Sequence, residues 1–293
     1  MRPRAAVVVN PTKVQDLDEC REWIETEMEA AGWEPPLWSL TRAEDPGRSM
    51  AAEAAAARVD VVFAYGGDGT VAACAAGLAG TGVPLAVLGA GTGNLLSRNL
   101  GIPAAPVDAL KVGMSGRDRV IDLGDAGGYP FVVMAGVGLD AGMVAGTPER
   151  LKARAGWPAY LVGIARHLAD RPVHGTLTLD DGPPRHVLAR MVIVGNVGET
   201  RGGICLLPDA EPDDGQLDVL VLAPGGLLGW LWVFARTVAR RHRQDRRTRR
   251  YRARTVRLET DRRQERECDG DPAGAGTVWE VSVRPAALLV RVP

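Results

Sequence analysis

Apolar and polar positions follow two different rhythms along this 293-residue chain, and the change of rhythm divides it. In the first third, short apolar runs rich in β-branched residues are separated by stretches with helical spacing. Ala5–Val9 predicts a buried strand. Leu17, Cys20, Ile24, Met28 and Ala31 then recur three or four residues apart and predict an amphipathic helix, which Gly32 stops. Leu37–Leu40 predicts a second strand, Arg48–Ala57 an alanine-rich helix, Val59–Ala64 a third strand and Val71–Leu78 a helix after a glycine turn. Val83–Leu88 and Gly91–Leu100 repeat the strand, turn and helix pattern. Strands separated by helices imply a mostly parallel sheet covered on both faces.

From about residue 120 strands follow one another closely. Val120–Leu123, Pro130–Ala135, Gly175–Leu179, His186–Val194, Leu217–Leu222, Thr255–Glu259 and Val278–Val283 carry the pattern. Helical spacing is confined to Leu139–Ala169 and Leu227–Arg241. The fold class is therefore α/β. Residues 1–122 form an α/β domain with a parallel sheet, and residues 123–283 form an antiparallel β-sandwich. The apolar tail at 284–293 is expected to return to the first domain as an extra strand.

Composition narrows the function classes. Hydrophobic residues make up 46% and charged residues 24%, which suits folded cores and excludes a disordered chain. A formal net charge of -1 excludes a global field drawing the protein to nucleic acid or membrane, so any such attraction is local. Cys20, Cys74, Cys205 and Cys268 are scattered without a CxxC pair, which argues against a disulfide framework or a zinc site. The apolar start is cut short at Asn10-Pro11, and no apolar run reaches the roughly 18 residues of a spanning helix. A cytoplasmic protein is expected.

Candidate chemistry gathers at strand ends. Gly66-Gly67-Asp68-Gly69-Thr70 lies between an apolar strand and a helix, where glycines let backbone amides approach an anion and the helix N-terminus adds positive potential. A second such turn, Gly89-Ala90-Gly91-Thr92-Gly93-Asn94, follows the next strand, and the first strand ends in Asn10-Pro11-Thr12-Lys13. Three strand ends with ligand-type residues suit the edge where open α/β sheets bind ligands. Neither GxxxxGK[ST] nor GxGxxG fits, which favours a different phosphate loop. Taken alone, each turn is also consistent with an ordinary strand-to-helix connection.

These motifs together resemble the diacylglycerol kinase catalytic family, which includes bacterial lipid kinases, sphingosine kinases and ceramide kinases. The resemblance continues through Ala135-Gly136-Val137-Gly138-Leu139-Asp140-Ala141, through Leu207–Asp218 and into Asp269-Gly270-Asp271, in the expected order. The GGDGT element alone is less specific, because NAD kinases and phosphofructokinases carry similar turns.

The resemblance implies a nucleotide-binding domain and a β-sandwich domain, with the site in the cleft between them. It implies an ATP- and Mg²⁺-dependent kinase acting on a lipid hydroxyl, diacylglycerol or a related lipid. ATP phosphates would lie on Gly66, Gly67, Asp68, Gly69 and Thr70, with Asn10, Pro11, Thr12, Thr41, Gly91, Thr92 and Asn94 around the nucleotide. Asp271 matches the general base. Asp68 would act through a cation, or would hydrogen-bond its own turn. Glu211 and Gln216, by their carbonyls, and Asp214, by its carboxylate, match a magnesium loop, whose acidic composition also suits a solvated hairpin turn.

Where many relatives carry an Asn-Glu pair after the glycine loop, this chain has Ala72 and Ala73. This motivates one alternative, a weakly active nucleotide- or lipid-binding protein. The other alternative is a NAD kinase-like enzyme, against which stand the Asp214 loop and Asp271, which match lipid kinases.

The partner expected is a lipid at a membrane surface. Residues 227–254 combine an apolar aromatic stretch with a run of arginines, which suits peripheral contact with anionic lipid and equally a buried helix followed by a solvated charged one. No nucleic acid partner is expected, because stacking aromatics are not interleaved with the arginines. A homodimer is left open.

Overall fold

The computed structural model describes residues 2–138, 172–200, 205–238 and 247–293. The chain divides into two compact units, residues 1–123 with 286–293, and residues 124–285. The expected helix at Leu139–Ala169 and the last three residues of the Ala135–Ala141 motif lie outside the described residues.

The first unit is built on four parallel strands, β1 (Ala5–Val9), β2 (Leu37–Leu40), β3 (Val61–Gly66) and β4 (Leu85–Gly89), in the order β2-β1-β3-β4. Ala5–Val9 and Val61–Gly66 are buried at every position, as a sheet covered on both faces requires. Helix α1 (Leu17–Ala30) opens on Asp16, whose carboxylate accepts the N–H groups of Asp18 and Glu19, and it buries Cys20, Ile24 and Met28 on one stripe. Helix α2 (Arg48–Ala56) packs closely against α3 (Asp68–Leu78): a Cβ on Gly77 would stand 2.3 Å from the Arg48 carbonyl oxygen.

One helix starts earlier than the sequence reading has it. The helix expected at Val71–Leu78 begins at Asp68, because Gly67 caps it and an acidic first turn suits the helix dipole. Within Gly91–Leu100 the turn runs to Asn94, which holds a left-handed φ of 46°, and the helix that follows is α4 (Leu95–Asn99). The structure adds α5 (Pro106–Ser115), which starts on a proline in its first turn.

Strand β5 (Arg117–Asp125) leaves this unit, and the end of β14 (Asp271–Val292) returns to it, pairing parallel with β4 at Val290 and Leu85. Buried Asp122 accepts the N–H of Ala286 at 2.7 Å, and Arg291 pairs with Asp118 at 2.8 Å. The expected extra strand is formed.

The second unit is antiparallel. Strands β12 (Thr248–Ala253), β11 (Leu217–Leu222), β10 (Met191–Gly195), β7 (Met134–Gly138), β13 (Thr255–Cys268) and β14 are neighbours in that order. The β8 (Val173–Leu179) and β9 (Arg185–Ala189) hairpin adds to the first half of β13, whereas β7 pairs with its last residues. A register break between Glu259 and Gln264 separates the two halves. This lets one strand serve two sheets, as the corners of sandwiches do. Phe131, Val137, Leu177, Val194, Val219, Leu258 and Trp279 meet in the core. β6 (Pro130–Phe131) and α6 (Gly226–Val238) also belong to the unit.

The run expected as one strand at His186–Val194 is two, β9 and β10, broken at Arg190. The solvated charged helix considered for the arginine run is replaced at Thr248–Ala253 by β12, which pairs with β11 along its whole length.

Candidate active site

In the first unit the parallel register brings the strand ends level. Val9 pairs with Leu40 and with Tyr65, and Gly66 pairs with Gly89. The residues that follow, Thr41, Asn10, Gly67 and Ala90, therefore start their turns at one edge. The order β2-β1-β3-β4 reverses direction at β1, and a parallel sheet opens a crevice at such a switch point, beyond the carboxyl ends of its strands.

That crevice falls where Asn10 and Thr70 meet. The Asn10 side-chain amide donates to Thr70 Oγ1 at 3.5 Å, and its oxygen accepts from the Thr12 N–H at 3.0 Å and the Thr12 hydroxyl at 2.8 Å. Pro11 and Thr12 form the exposed rim of this turn. Thr41 is buried, and its N–H donates to the Val9 carbonyl at 2.9 Å.

The two glycine turns touch through their backbones. A Cβ on Gly91 would lie 2.9 Å from the Cα of Gly67, and one on Gly66 would strike Thr70. The approach requires glycine at position 91, whereas a Cβ on Gly67 would stand an ordinary 3.7 Å from the Gly91 Cα. Asp68 Oδ1 accepts the Leu95 N–H at 2.6 Å, so the first turn of α3 is bonded to the start of α4. Asn94 turns its side-chain oxygen inward to accept the Gly91 N–H at 2.9 Å, and Thr92 stays exposed. The outcome is a backbone-lined cradle with the N-terminus of α3 at its base, chemically suited to phosphate.

In the second unit, β13 and β14 meet at a tight hairpin whose turn residues, Asp269 and Gly270, have φ of 50° and 94°. This is the two-residue geometry that Asp-Gly favours. Asp271 follows immediately and is exposed.

The turn is clamped. Buried Asp269 accepts three successive N–H groups, those of Val132 at 2.7 Å and of Val133 and Met134 at 2.9 Å each. Its own N–H donates to the Met134 carbonyl at 2.9 Å. Buried Glu267 accepts the Gly270 N–H at 2.7 Å. Sequence reading missed Asp269 and Glu267 as anchors. The Asp-Gly pair signals the turn, but the three amides lie about 135 residues away.

The acidic loop of the second unit surrounds one guanidinium. Arg252 lies 3.5 Å from Asp214 and 3.4 Å from Asp218, and it donates to the Asp209 carbonyl. Burial raises the Asp218 carboxyl pKa, and Arg252 opposes that rise. Asp214 Oδ1 accepts the Gln216 N–H at 2.9 Å, whereas its buried Oδ2 has no hydrogen bond. Glu211 is exposed. Among the described residues no group of three or more His, Cys, Asp or Glu is arranged to hold a metal. Asp214 Oδ2, which makes no hydrogen bond and faces the Arg252 guanidinium at 3.5 Å, is the carboxylate oxygen a hard cation would use, with main-chain carbonyls completing its shell.

Comparison with known proteins agrees with these features. The diacylglycerol kinase catalytic domain matches residues 4–126, and the YegS C-terminal NAD kinase β-sandwich-like domain matches residues 132–292. The chain belongs to the diacylglycerol kinase-like family of lipid kinases.

A "probable lipid kinase YegS-like" of Pseudomonas fluorescens Pf-5 is 33% identical over 100% of this chain and 97% of the relative. Among solved structures, a candidate diacylglycerol kinase from Bacillus anthracis superposes with a TM-score of 0.80 at 25% identity, covering 99% of this chain and 97% of that one. An NAD kinase from Archaeoglobus fulgidus in complex with ATP shares the fold, with a TM-score of 0.54 at 12% identity over 98% of this chain and 93% of that one.

Within this lipid kinase, Ala72 and Ala73 follow Val71 on α3 and are half-buried. Among the described residues no helix is long and apolar enough to cross a membrane.

Proposed function

We propose that this lipid kinase transfers the γ-phosphoryl group of ATP to the hydroxyl of a neutral lipid, diacylglycerol or a close relative. The observation that carries the reading is the contact of Gly67 with Gly91, held by the Asp68–Leu95 hydrogen bond. It leaves a turn of main-chain amides free of side-chain bulk at the N-terminus of an 11-residue helix. Phosphoryl transfer needs little from a protein beyond positioning and charge neutralisation.

In the proposed reaction the lipid hydroxyl oxygen attacks the γ-phosphorus. The bond from that phosphorus to the β–γ bridging oxygen breaks, and ADP leaves with that electron pair. Asp271 takes the hydroxyl proton. The Asp269 and Glu267 hydrogen bonds support this role, because they hold the turn that presents Asp271. Asn10, Thr12, Thr41, Gly66, Thr70 and Thr92 would surround the nucleotide.

Asp214, with the carbonyls of Glu211 and Gln216, would hold Mg²⁺, which when bound would offset the negative charge of this loop. Asp68, whose Oδ1 is engaged by the Leu95 N–H, would offer its second oxygen to a hydrated cation.

Incubation with γ-labelled ATP and Mg²⁺ tests the reading, with mixed micelles of diacylglycerol, monoacylglycerol, sphingosine or ceramide in separate tubes and NAD in another. Label in an extracted neutral lipid is the expected result. Label in NAD alone would overturn it.

A further inference from the structure

An amphipathic surface helix carries one apolar stripe, but α6 carries two. Trp230 and Val233 are buried and mark one face. Leu228, Leu231, Trp232 and Ala235 share the other face at the spacing i, i+3, i+4 and i+7. Leu228 is 81% exposed and Leu231 44%, whereas Ala235 is exposed and Trp232 half-buried. No charged residue interrupts the helix before Arg236.

The border of this stripe is cationic. The Arg236 guanidinium lies 4.4 Å from the centre of the Trp232 ring, and that of Arg247 lies 5.3 Å from it. Arg249 is exposed nearby in sequence on β12. Residues 236–254 contain ten arginines and one acidic residue, Asp245. Two of the ten, Arg250 and Arg252, face the 206–218 loop and do not belong to this border. Apolar tips, an indole beside them and guanidiniums at its edge match the layering of a bilayer surface from acyl chain to phosphate.

We propose that the outward face of α6, with Arg236 and Arg247, docks on an anionic phospholipid bilayer. A second copy of the chain fits less well. A two-fold contact through this stripe would set its arginine border beside the same border of the partner. The proposal rests on the lipid kinase reading for its purpose, since the proposed acceptor resides in a bilayer. Its test does not depend on catalysis.

The test is co-sedimentation of the full chain with phosphatidylcholine vesicles, with and without phosphatidylglycerol. A Leu228→Ser/Leu231→Ser double variant and Arg247→Gln run beside the wild type. Both leucines are exposed, so the fold should survive, and circular dichroism checks that it does.

We expect binding to the anionic vesicles that weakens about tenfold in the double variant and about fivefold in Arg247→Gln. Turnover on a dissolved short-chain diacylglycerol should stay unchanged in both. Vesicle binding with this pattern but no turnover in any protein would sustain the docking surface and defeat the kinase reading. Wild-type binding to neither vesicle, or equal binding by the double variant, would overturn the docking surface. So would a dimer in sedimentation equilibrium that the double variant dissolves while vesicle binding is absent.

Discussion

Asp68 and Leu95 stand 27 residues apart in sequence, yet the Asp68 carboxylate accepts the Leu95 N–H at 2.6 Å. One bond thus joins the helix that follows β3 to the helix that follows β4. The carboxylate has a second oxygen, so a structural and a chemical role can coexist on one side chain. Asp68→Asn separates them. The amide oxygen can still accept the Leu95 N–H, so stability should change by no more than about 1 kcal/mol. The charge is lost, and kcat should fall by at least roughly tenfold. Thermal unfolding and steady-state kinetics on one preparation check both halves.

Gly91 has backbone where a side chain would go. Its Cβ would stand 2.9 Å from Gly67 Cα, and main chain cannot yield as a flexible side chain can. Gly91→Ala should push the two turns apart, raise KM for ATP and cost about 1–3 kcal/mol of stability. Gly225→Ala is the control, because nothing lies within 4 Å of its added methyl and its φ is unremarkable for an L-residue. It should be silent in both assays.

Much of this site is readable without coordinates. Buried parallel strands are continuous apolar runs, and the glycine turns punctuate them, so Ala5–Val9 appears in the structure with the bounds expected. Leu37–Leu40 also keeps its bounds, although it lies at the sheet edge and is exposed at both ends. Other elements hide for physical reasons. β12 is written Thr-Arg-Arg-Tyr-Arg-Ala, and Arg250 and Arg252 serve carbonyls and carboxylates of the 206–218 segment, so no apolar alternation marks it. The middle of β13, from Asp261 to Arg266, is also polar throughout, with Gln264 its one uncharged residue, and only its partners make it a strand. Helix α5 buries a short stripe of Ala109, Leu110 and Gly113, and Pro106 in its first turn marks its start.

Asp269 was legible as a turn residue but not as a clamp. Its two carboxylate oxygens together satisfy three N–H groups. Asp269→Asn would bring an amide donor against one of those donors. It should cost about 1–3 kcal/mol. Because Asp271 lies two residues on, the variant should also lose kcat more than it raises KM for ATP. Kinetics below the lowered melting temperature distinguish this from simple unfolding.

Buried thiols set the alkaline limit. Burial raises the Cys74 thiol to about 12 and Tyr65 to about 12, the latter helped by Cys20, and it pushes Cys20 and Cys268 up as well. In the folded state these groups hold protons that the unfolded chain releases from about pH 9 upward. Their contribution is complete below that pH and is lost as pH rises towards 12. Denaturant unfolding should show stability falling across this window. A thiol reagent at neutral pH should label half-buried Cys205 ahead of the other three.

The most direct test compares wild type with Asp271→Asn, measuring transfer of label from γ-labelled ATP to diacylglycerol in mixed micelles. Asp271 is exposed, so the variant should fold and bind ATP as the wild type does. The account predicts labelled phosphatidic acid from the wild type and a kcat lower by roughly 10²-fold or more in the variant. Equal turnover by both proteins would contradict the assignment of Asp271 as the base. No labelled lipid from the wild type with any acceptor in the panel would contradict the proposed reaction itself.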